Sequence, residues 1–278
     1  IASQGITVIM AICLVRGIGL GITVVIGSSL VAWFVPEERH SEALGLYGVV
    51  VGVPAVLGLP LGVWFAVHFG YAPVFMIGAA VATAALPAVP GLPPREPEST
   101  EPIGFLSALR SPELSRPAII FAVTAMAAGV VVTFLPLVIT QADGNVAAAG
   151  LFVQAVFMTL MRGWAGRYGA RRNGMLLVVS VLMTAAGIFA VAASKNTVVV
   201  LAAMAVFGGG FGIAQNASLA LMFERVAKSR YDAVSALWNA AYDAGLGVGG
   251  AGFGLLAARS GYGIALALTA ALVIVALI

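Results

Sequence analysis

Residues 197–223 read TVVVLAAMAVFGGGFGIAQNASLALMF, a stretch of 27 residues that contains no Asp, Glu, Lys or Arg. About 20 such residues, rising 1.5 Å each in a helix, cross the hydrocarbon layer of a bilayer, which is about 30 Å thick. Lipid offers the backbone no hydrogen-bonding water, so a continuous helix is the expected conformation. The stretch therefore predicts a transmembrane helix.

The same composition extends along the chain. Of its 278 residues, 61% are apolar and 9% are charged, whereas a soluble domain carries about 25% charged residues. So few charges do not cover the surface of a soluble domain of this length. We therefore expect an all-α membrane protein, a multi-pass helical bundle with about nine transmembrane helices. The predicted windows are residues 6–34, 43–66, 71–90, 117–140, 146–164, 174–193, 197–223, 233–257 and 262–278.

The basic residues indicate the orientation of these helices. Eleven of the 14 Lys and Arg residues fall in or beside one set of alternate connections, and two, Lys195 and Arg259, fall in the other set. The remaining one, Arg16, lies inside the first window. Since cytoplasmic loops carry an excess of Lys and Arg, the eleven mark the cytoplasmic side. We expect a multi-pass protein of the cell membrane.

One segment differs from the rest in composition. Residues 91–116, GLPPREPESTEPIGFLSALRSPELSR, hold seven of the 25 charged residues and five of the 13 prolines. This predicts a cytoplasmic linker between a block at residues 1–90 and a six-helix block at residues 117–278. Within it, residues 103–110 form either a short amphipathic helix on the membrane surface or a plain connector.

Several kinds of chemistry are not expected. The single Cys13 excludes a disulfide within the chain, and His40 and His68 do not have metal-ligand spacing. The Gly-rich runs follow no strand, and no phosphate-binding Lys-Ser or Lys-Thr sequence accompanies them. We therefore expect no enzyme, no cofactor, no metal and no nucleic-acid partner.

Local motifs resemble a known transporter family. One motif is similar to the fourth helix of the major facilitator superfamily and the loop that follows it. It consists of LVRGIGLG at residues 14–21, PEER at 36–39 and ALG at 43–45. Residues 48–62 carry Gly and Pro as that family's fifth helix often does, but in the order Gly-Val-Pro, which departs from its antiporter motif.

A second motif is similar to the family's loop between helices eight and nine, Gly-x-x-x-Asp-Arg-x-Gly-Arg-Arg. Residues 163–172 read GWAGRYGARR, and two registers fit: Ala170 replaces the Asp before Arg171, or Gly166 replaces it before Arg167. Either way the acidic residue is missing. The resemblance implies a cytoplasmic gating loop, built from Gly163, Gly166, Arg167, Gly169, Arg171 and Arg172.

The resemblance implies an efflux-permease-like transporter that has lost its first helices at the N-terminus. We expect a secondary active transporter, a monomer in the bilayer, that exports a small organic molecule by alternating access, as a proton antiporter or symporter. The alternative is a truncated, transport-incompetent membrane protein that binds a ligand or a partner helix.

Two charged residues are predicted near the middle of the bilayer. Arg16 lies about 15 Å along its window, where a lone Arg costs about 3 kcal/mol or more. In the family the matching Arg is linked to proton transfer or to helix positioning. Asp243 lies about as deep and is a candidate proton carrier, or it accepts a hydrogen bond from Asn239 one turn away.

Other polar and small residues complete the candidate site. Gln215 and Asn216, on a helix that lines the central cavity in the family, contact either the substrate or another helix. Trp238, beside Asn239, is a candidate for substrate contact. Small residues predict close helix packing or hinges: Gly17, Gly19, Gly21, Gly52, Pro54, Gly245 and Gly249.

Overall fold

The computed structural model describes residues 5–91, 104–139, 144–169 and 172–278. Over these residues the chain is almost entirely helical, and a helix lies in each of the nine predicted windows. The helices are α1 (Ile6–Phe34), α2 (His40–Phe69), α3 (Tyr71–Ala84), α4 (Phe105–Arg110), α5 (Pro112–Val138), α6 (Gly144–Tyr168), α7 (Asn173–Ala193), α8 (Thr197–Phe223), α9 (Tyr231–Ser260) and α10 (Tyr262–Val275). The all-α, multi-pass fold class is confirmed.

Seven spans in the described part of the chain are long and apolar enough to cross a membrane. They comprise α1, α5, α6, α7 and α8, the first part of α2, and α3 with the residues after it. Helix α10 has 14 residues, too few to cross alone. Helix α9 carries Asp232, Asp243 and Arg259 along its length. For α9 and α10, membrane crossing stays a prediction.

The helices before residues 92–103 and those after them are treated as two groups. Helices α5 to α10 pack on one another around a core that includes Phe121, Met204, Phe207 and Phe211. Helices α1, α2 and α3 follow one another in contact, and α1 and α2 also pack against α6, α8 and α9. The division into domains at the linker stays a prediction, because residues 92–103 lie outside the described ranges.

The first three helices present apolar side chains to the outside. Only Ser28, Ser29 and Ala32 are buried on α1, and no residue of α3 is buried. Such exposure would be unfavourable in water, whereas lipid is as apolar as these side chains. The exposed faces therefore fit a bilayer environment.

Glycines allow pairs of helices to approach closely. On α8, Gly208 and Gly212 lie against the backbone of Gln154 and Met158 in α6. On α9, Gly245 and Gly249 lie in the same way against α5. In both pairs the glycines are four residues apart, so that they share one helix face, as in the small-xxx-small packing of membrane helices.

The other predicted packing glycines differ from these. Gly52 lies against Thr159 of α6, whereas nothing lies within 4 Å of a Cβ placed at Gly17, Gly19 or Gly21. Pro54 lies on an exposed part of α2. A hinge role for these residues stays a prediction.

Two glycines of α9 provide a test of this packing. A Cβ at Gly249 would overlap the carbonyl oxygen of Met126, so Gly249→Ala should destabilise the protein by about 1–3 kcal/mol. Gly247 has nothing within 4 Å, so Gly247→Ala should be neutral or stabilising by up to about 1 kcal/mol. Thermal unfolding of both variants in detergent measures the difference, and equal melting temperatures would contradict the packing.

Candidate functional site

A cavity of about 150 Å³, lined by both polar and apolar side chains, lies where the two groups of helices meet. Five helices contribute to its wall, α1 and α2 from one group and α6, α8 and α9 from the other. Its lining contains Val24, Ser28, Tyr47, Val51, Arg162, Gln215, Leu219, Trp238, Asn239 and Tyr242. Three residues singled out in the sequence, Gln215, Trp238 and Asn239, are therefore brought together here.

Arg162 is the one cationic residue in this lining. It donates a hydrogen bond from Nη1 to Oε1 of Gln215 at 2.8 Å. Its Nε is buried and has no hydrogen-bond partner among the described residues. No Asp or Glu belongs to the lining. The cavity therefore holds a positive charge that no lining carboxylate neutralises.

Gln215 is held in place by contacts on both ends of its amide. Its Nε2 lies 3.2 Å from the sulfur of Met158, and its Oε1 accepts the bond from Arg162. The side chain is 4% exposed. Gln215 therefore holds the Nη1 end of the guanidinium, while the Nε edge lies against Gly48.

Glycines on α2 make room for Arg162. A Cβ at Gly48 would overlap Nε and Cδ of Arg162, and a Cβ at Gly45 would meet the backbone of Gly166. Helix α6 therefore lies directly on α2, and the Arg162 side chain extends across the space that Gly48 leaves. The sequence analysis counted Arg162 with the cytoplasmic loops and missed this role, although residue 162 falls inside the predicted window 146–164.

Aromatic rings form another part of the wall. Trp238 stacks on Phe121 with ring centroids 4.5 Å apart and lies nearly parallel to Tyr242 at 6.1 Å. The indole Nε1 of Trp238 donates to Oγ of Ser218 at 2.9 Å, which fixes the plane of the ring. Tyr47, on α2, lies against Gly27 of α1. The sequence analysis did not identify either tyrosine.

The contact between α1 and α9 is polar. The hydroxyls of Ser28 and Ser235 are hydrogen-bonded, and Ser235 Oγ donates to the carbonyl oxygen of Val25 at 2.6 Å. Asn239 donates from Nδ2 to the carbonyl oxygen of Ser235 at 2.9 Å. Asn239 therefore bonds one turn back along its own helix, and no hydrogen bond to Asp243 is found among the described residues.

Asn216 lies outside the cavity lining. It donates from Nδ2 to Oγ of Ser41 at 3.1 Å, and Ser41 Oγ lies 3.4 Å from Oδ1 of Asn173. Asn173 in turn donates to Glu224 Oε1 at 2.6 Å. This interhelical network connects α2 with α7 and α8 and favours the packing interpretation of Asn216 over substrate contact.

The predicted gating-loop residues lie near this network. Gly163 lies against Val49, Gly166 against Ser41 and Gly45, and Gly169 beside Ser41 and Asn173. Arg167 and Arg172 are exposed, and Arg171 lies outside the described residues. The glycines of the motif thus face α2 at the end of α6, and gating by this loop stays a prediction.

The structure does not bring Arg16 and Asp243 into the cavity. Both side chains are exposed, and no ion pair between the two is found in the described structure. Asp243 follows the lining residue Tyr242 on α9, and Arg16 lies on an exposed face of α1. Their predicted role in proton coupling stays a prediction. Among the described residues, no group of three or more His, Cys, Asp or Glu side chains is placed to hold a metal ion.

Comparison with known proteins identifies the family. Residues 1–250 match the profile of the Major Facilitator Superfamily. No curated protein matches the sequence at a significant level. Among solved structures, 45 chains match the fold. One is the fucose:proton symporter of E. coli, with a TM-score of 0.72 and 16% identity over 93% of this chain and 73% of the symporter.

At this low identity the symporter supports the fold alone, whereas the family profile covers most of the chain. The resemblance seen in the motifs at residues 14–21 and 163–172 is confirmed by this match. The chain belongs to the Major Facilitator Superfamily of membrane transporters.

Proposed function

We propose that this protein is a secondary transporter that carries a small organic molecule through the cavity around Arg162. The observation that carries the proposal is the position of that cavity. It lies between the helices before and after residues 92–103, and both groups contribute polar side chains to its lining.

The helices bring the polar lining residues to one depth. Ser28 lies six residues before the end of α1, and Gln215 lies eight before the end of α8. Tyr47 and Trp238 each lie seven residues after the start of α2 and α9. These separations correspond to about 9–12 Å along the helices. The four residues thus lie at one level, between the middle of these helices and the ends that are rich in Lys and Arg.

Alternating access requires a contact that opens. Between the cavity and the end of the helices rich in Lys and Arg, α2 and α6 touch through Gly45 and Gly166, and Ser41 bonds to Asn216. Separating these contacts would connect the cavity with the side that the basic residues mark as cytoplasmic. We propose that the two groups of helices rock about the cavity in this way.

Proton-coupled export of the substrate across the plasma membrane is the specific form that we propose. The fucose:proton symporter, which shares this fold, is coupled to protons by its name, and we propose the same ion here. Asp243 is the candidate proton carrier, because it adjoins the lining residue Tyr242 and lies in the middle part of α9. A protein that binds a ligand without moving it, the alternative interpretation, would show binding and no net flux.

Gly48→Ala tests the site itself. The added Cβ would overlap Arg162 and displace its guanidinium from the cavity wall. We expect transport to fall by about tenfold or more, as for the loss of one hydrogen bond to a charged group. The measurement is flux in inside-out vesicles from cells that express the protein, using substrates from a panel of labelled sugars, drugs and organic acids.

Gly58→Ala, on the same helix, is the matched control, since no described residue lies within 4 Å of a Cβ placed there. It should retain wild-type flux at an equal protein level. If Gly48→Ala transported as well as Gly58→Ala, the assignment of the cavity as the transport site would be wrong.

Asp243→Asn tests the coupling. The amide cannot release a proton at neutral pH, so flux of the identified substrate should no longer respond to an imposed proton gradient, while exchange without a gradient persists. The wild-type protein should lose accumulation when a protonophore collapses the gradient. If the flux of the wild-type protein did not change with the proton gradient, proton coupling would be refuted. If Asp243→Asn were coupled to protons as the wild type is, Asp243 would not be the proton carrier.

A further inference from the structure

We infer that the cavity binds a small monocarboxylate with a flat, apolar body. This inference rests on the proposed function, because it names the class of substrate for the same site. It follows from the charge, the hydrogen-bond donors and the walls of the cavity, each of which restricts the ligand in a different way.

The positive charge of Arg162 favours an anionic ligand in the cavity. A guanidinium stays protonated under all physiological conditions, and a buried charge without a partner is strongly unfavourable. Arg162 borders the cavity, and no Asp or Glu belongs to its lining. The neutral amide of Gln215 is the one side chain that accepts a hydrogen bond from it in the described structure. A bound anion would provide the missing countercharge.

The donors of Arg162 match a carboxylate. The guanidinium carries five N–H groups in a planar fork, a geometry that binds the two oxygens of a carboxylate in parallel. Only one of these groups, on Nη1, is bonded to Gln215, and Nε has no partner among the described residues. Because Nε is buried against Gly48, a carboxylate in the cavity would contact the terminal N–H groups of Arg162.

The number of cations limits the charge of the ligand. Arg162 is the only Lys, Arg or His among the residues that line this cavity. A dianion such as a phosphate ester would leave one negative charge uncompensated inside the membrane, which is unfavourable for the same reason as an uncompensated cation. The site therefore favours a ligand with a single negative charge.

The walls and the volume describe the rest of the ligand. Trp238, Tyr242 and Tyr47 supply ring surface, and Val24, Val51 and Leu219 supply aliphatic surface. The volume of about 150 Å³ is that of an engineered cavity in another protein that binds benzene. One ring with one carboxylate fits both the volume and the lining.

Three probes of equal size and different charge test this inference: benzoate, benzamide and benzylamine. Near pH 7 they are an anion, a neutral amide and a cation. The measurement is calorimetric binding to the full chain, purified and placed in lipid nanodiscs. We expect benzoate to bind about tenfold or more tightly than benzamide, and benzylamine not to bind.

Substitutions connect the preference with Arg162. Arg162→Gln should remove the preference for benzoate over benzamide, and Arg162→Lys should keep an anion preference with weaker binding, because Lys lacks the planar fork. Arg116→Gln, at an exposed position of α5 outside the cavity lining, is the control and should bind benzoate as the wild type does. If Arg162→Gln does not fold, the probe series on the wild type and on Arg162→Lys decides the question.

The outcomes separate this inference from the proposed function. Equal or tighter binding of benzamide by the wild type, or no binding of any probe, would overturn the monocarboxylate inference. A benzoate preference that persists in Arg162→Gln would also overturn it. If the flux assay then found a neutral substrate sensitive to Gly48→Ala, the cavity would still be the transport site. Absence of flux for every panel compound would count against the proposed function instead.

Discussion

The structure depends on placing one guanidinium between helices in an environment without water. Arg162 lies inside the apolar length of α6, where an ion without partners is strongly disfavoured. The protein supplies Gln215 as an acceptor and a glycine at position 48 as space. Gln215 and Gly48 both lie at the boundary between the two groups of helices. The polar centre of the molecule is thus also the place where the helix groups must move if the protein transports.

Close backbone contact makes this arrangement possible. Where lipid is as apolar as the side chains, helices associate by packing and by hydrogen bonds between them. The glycine pairs of α8 and α9 bring α6 and α5 against them, and Gly45 with Gly166 does the same between α2 and α6. Small hydroxyl and amide side chains, such as Ser28, Ser235 and Ser41, bond across the same boundary. Such contacts are short, local and weak enough individually to be exchanged during a conformational change.

Much of the fold was predictable from the sequence, and the site was predictable in part. Hydropathy located the long helices, because the thickness of the bilayer fixes the length of an apolar window. It does not tell which face of a helix is inward, since lipid-facing and protein-facing residues are equally apolar. Gln215, Trp238 and Asn239 line one cavity, whereas Asn216, next to Gln215, belongs to a separate network. The functional roles expected for these residues stay predictions. Arg16 and Asp243 were deep by position along the helix but are exposed in the structure. Arg162 was overlooked because its position beside a basic loop explained its charge without reference to a site.

The contact between a bound carboxylate and Arg162 is the central claim of this account. Solid-state NMR in lipid bilayers measures it most directly, as the dipolar coupling between carboxyl ¹³C of bound benzoate and guanidinium ¹⁵N of arginine. A paired carboxylate and guanidinium place these nuclei within about 4 Å. The account predicts strong dephasing for the wild-type protein that disappears in Arg162→Gln. If benzoate bound to the wild type and its ¹³C signal showed no dephasing by arginine ¹⁵N, the account would be contradicted. It would also be contradicted if the dephasing were still present in Arg162→Gln.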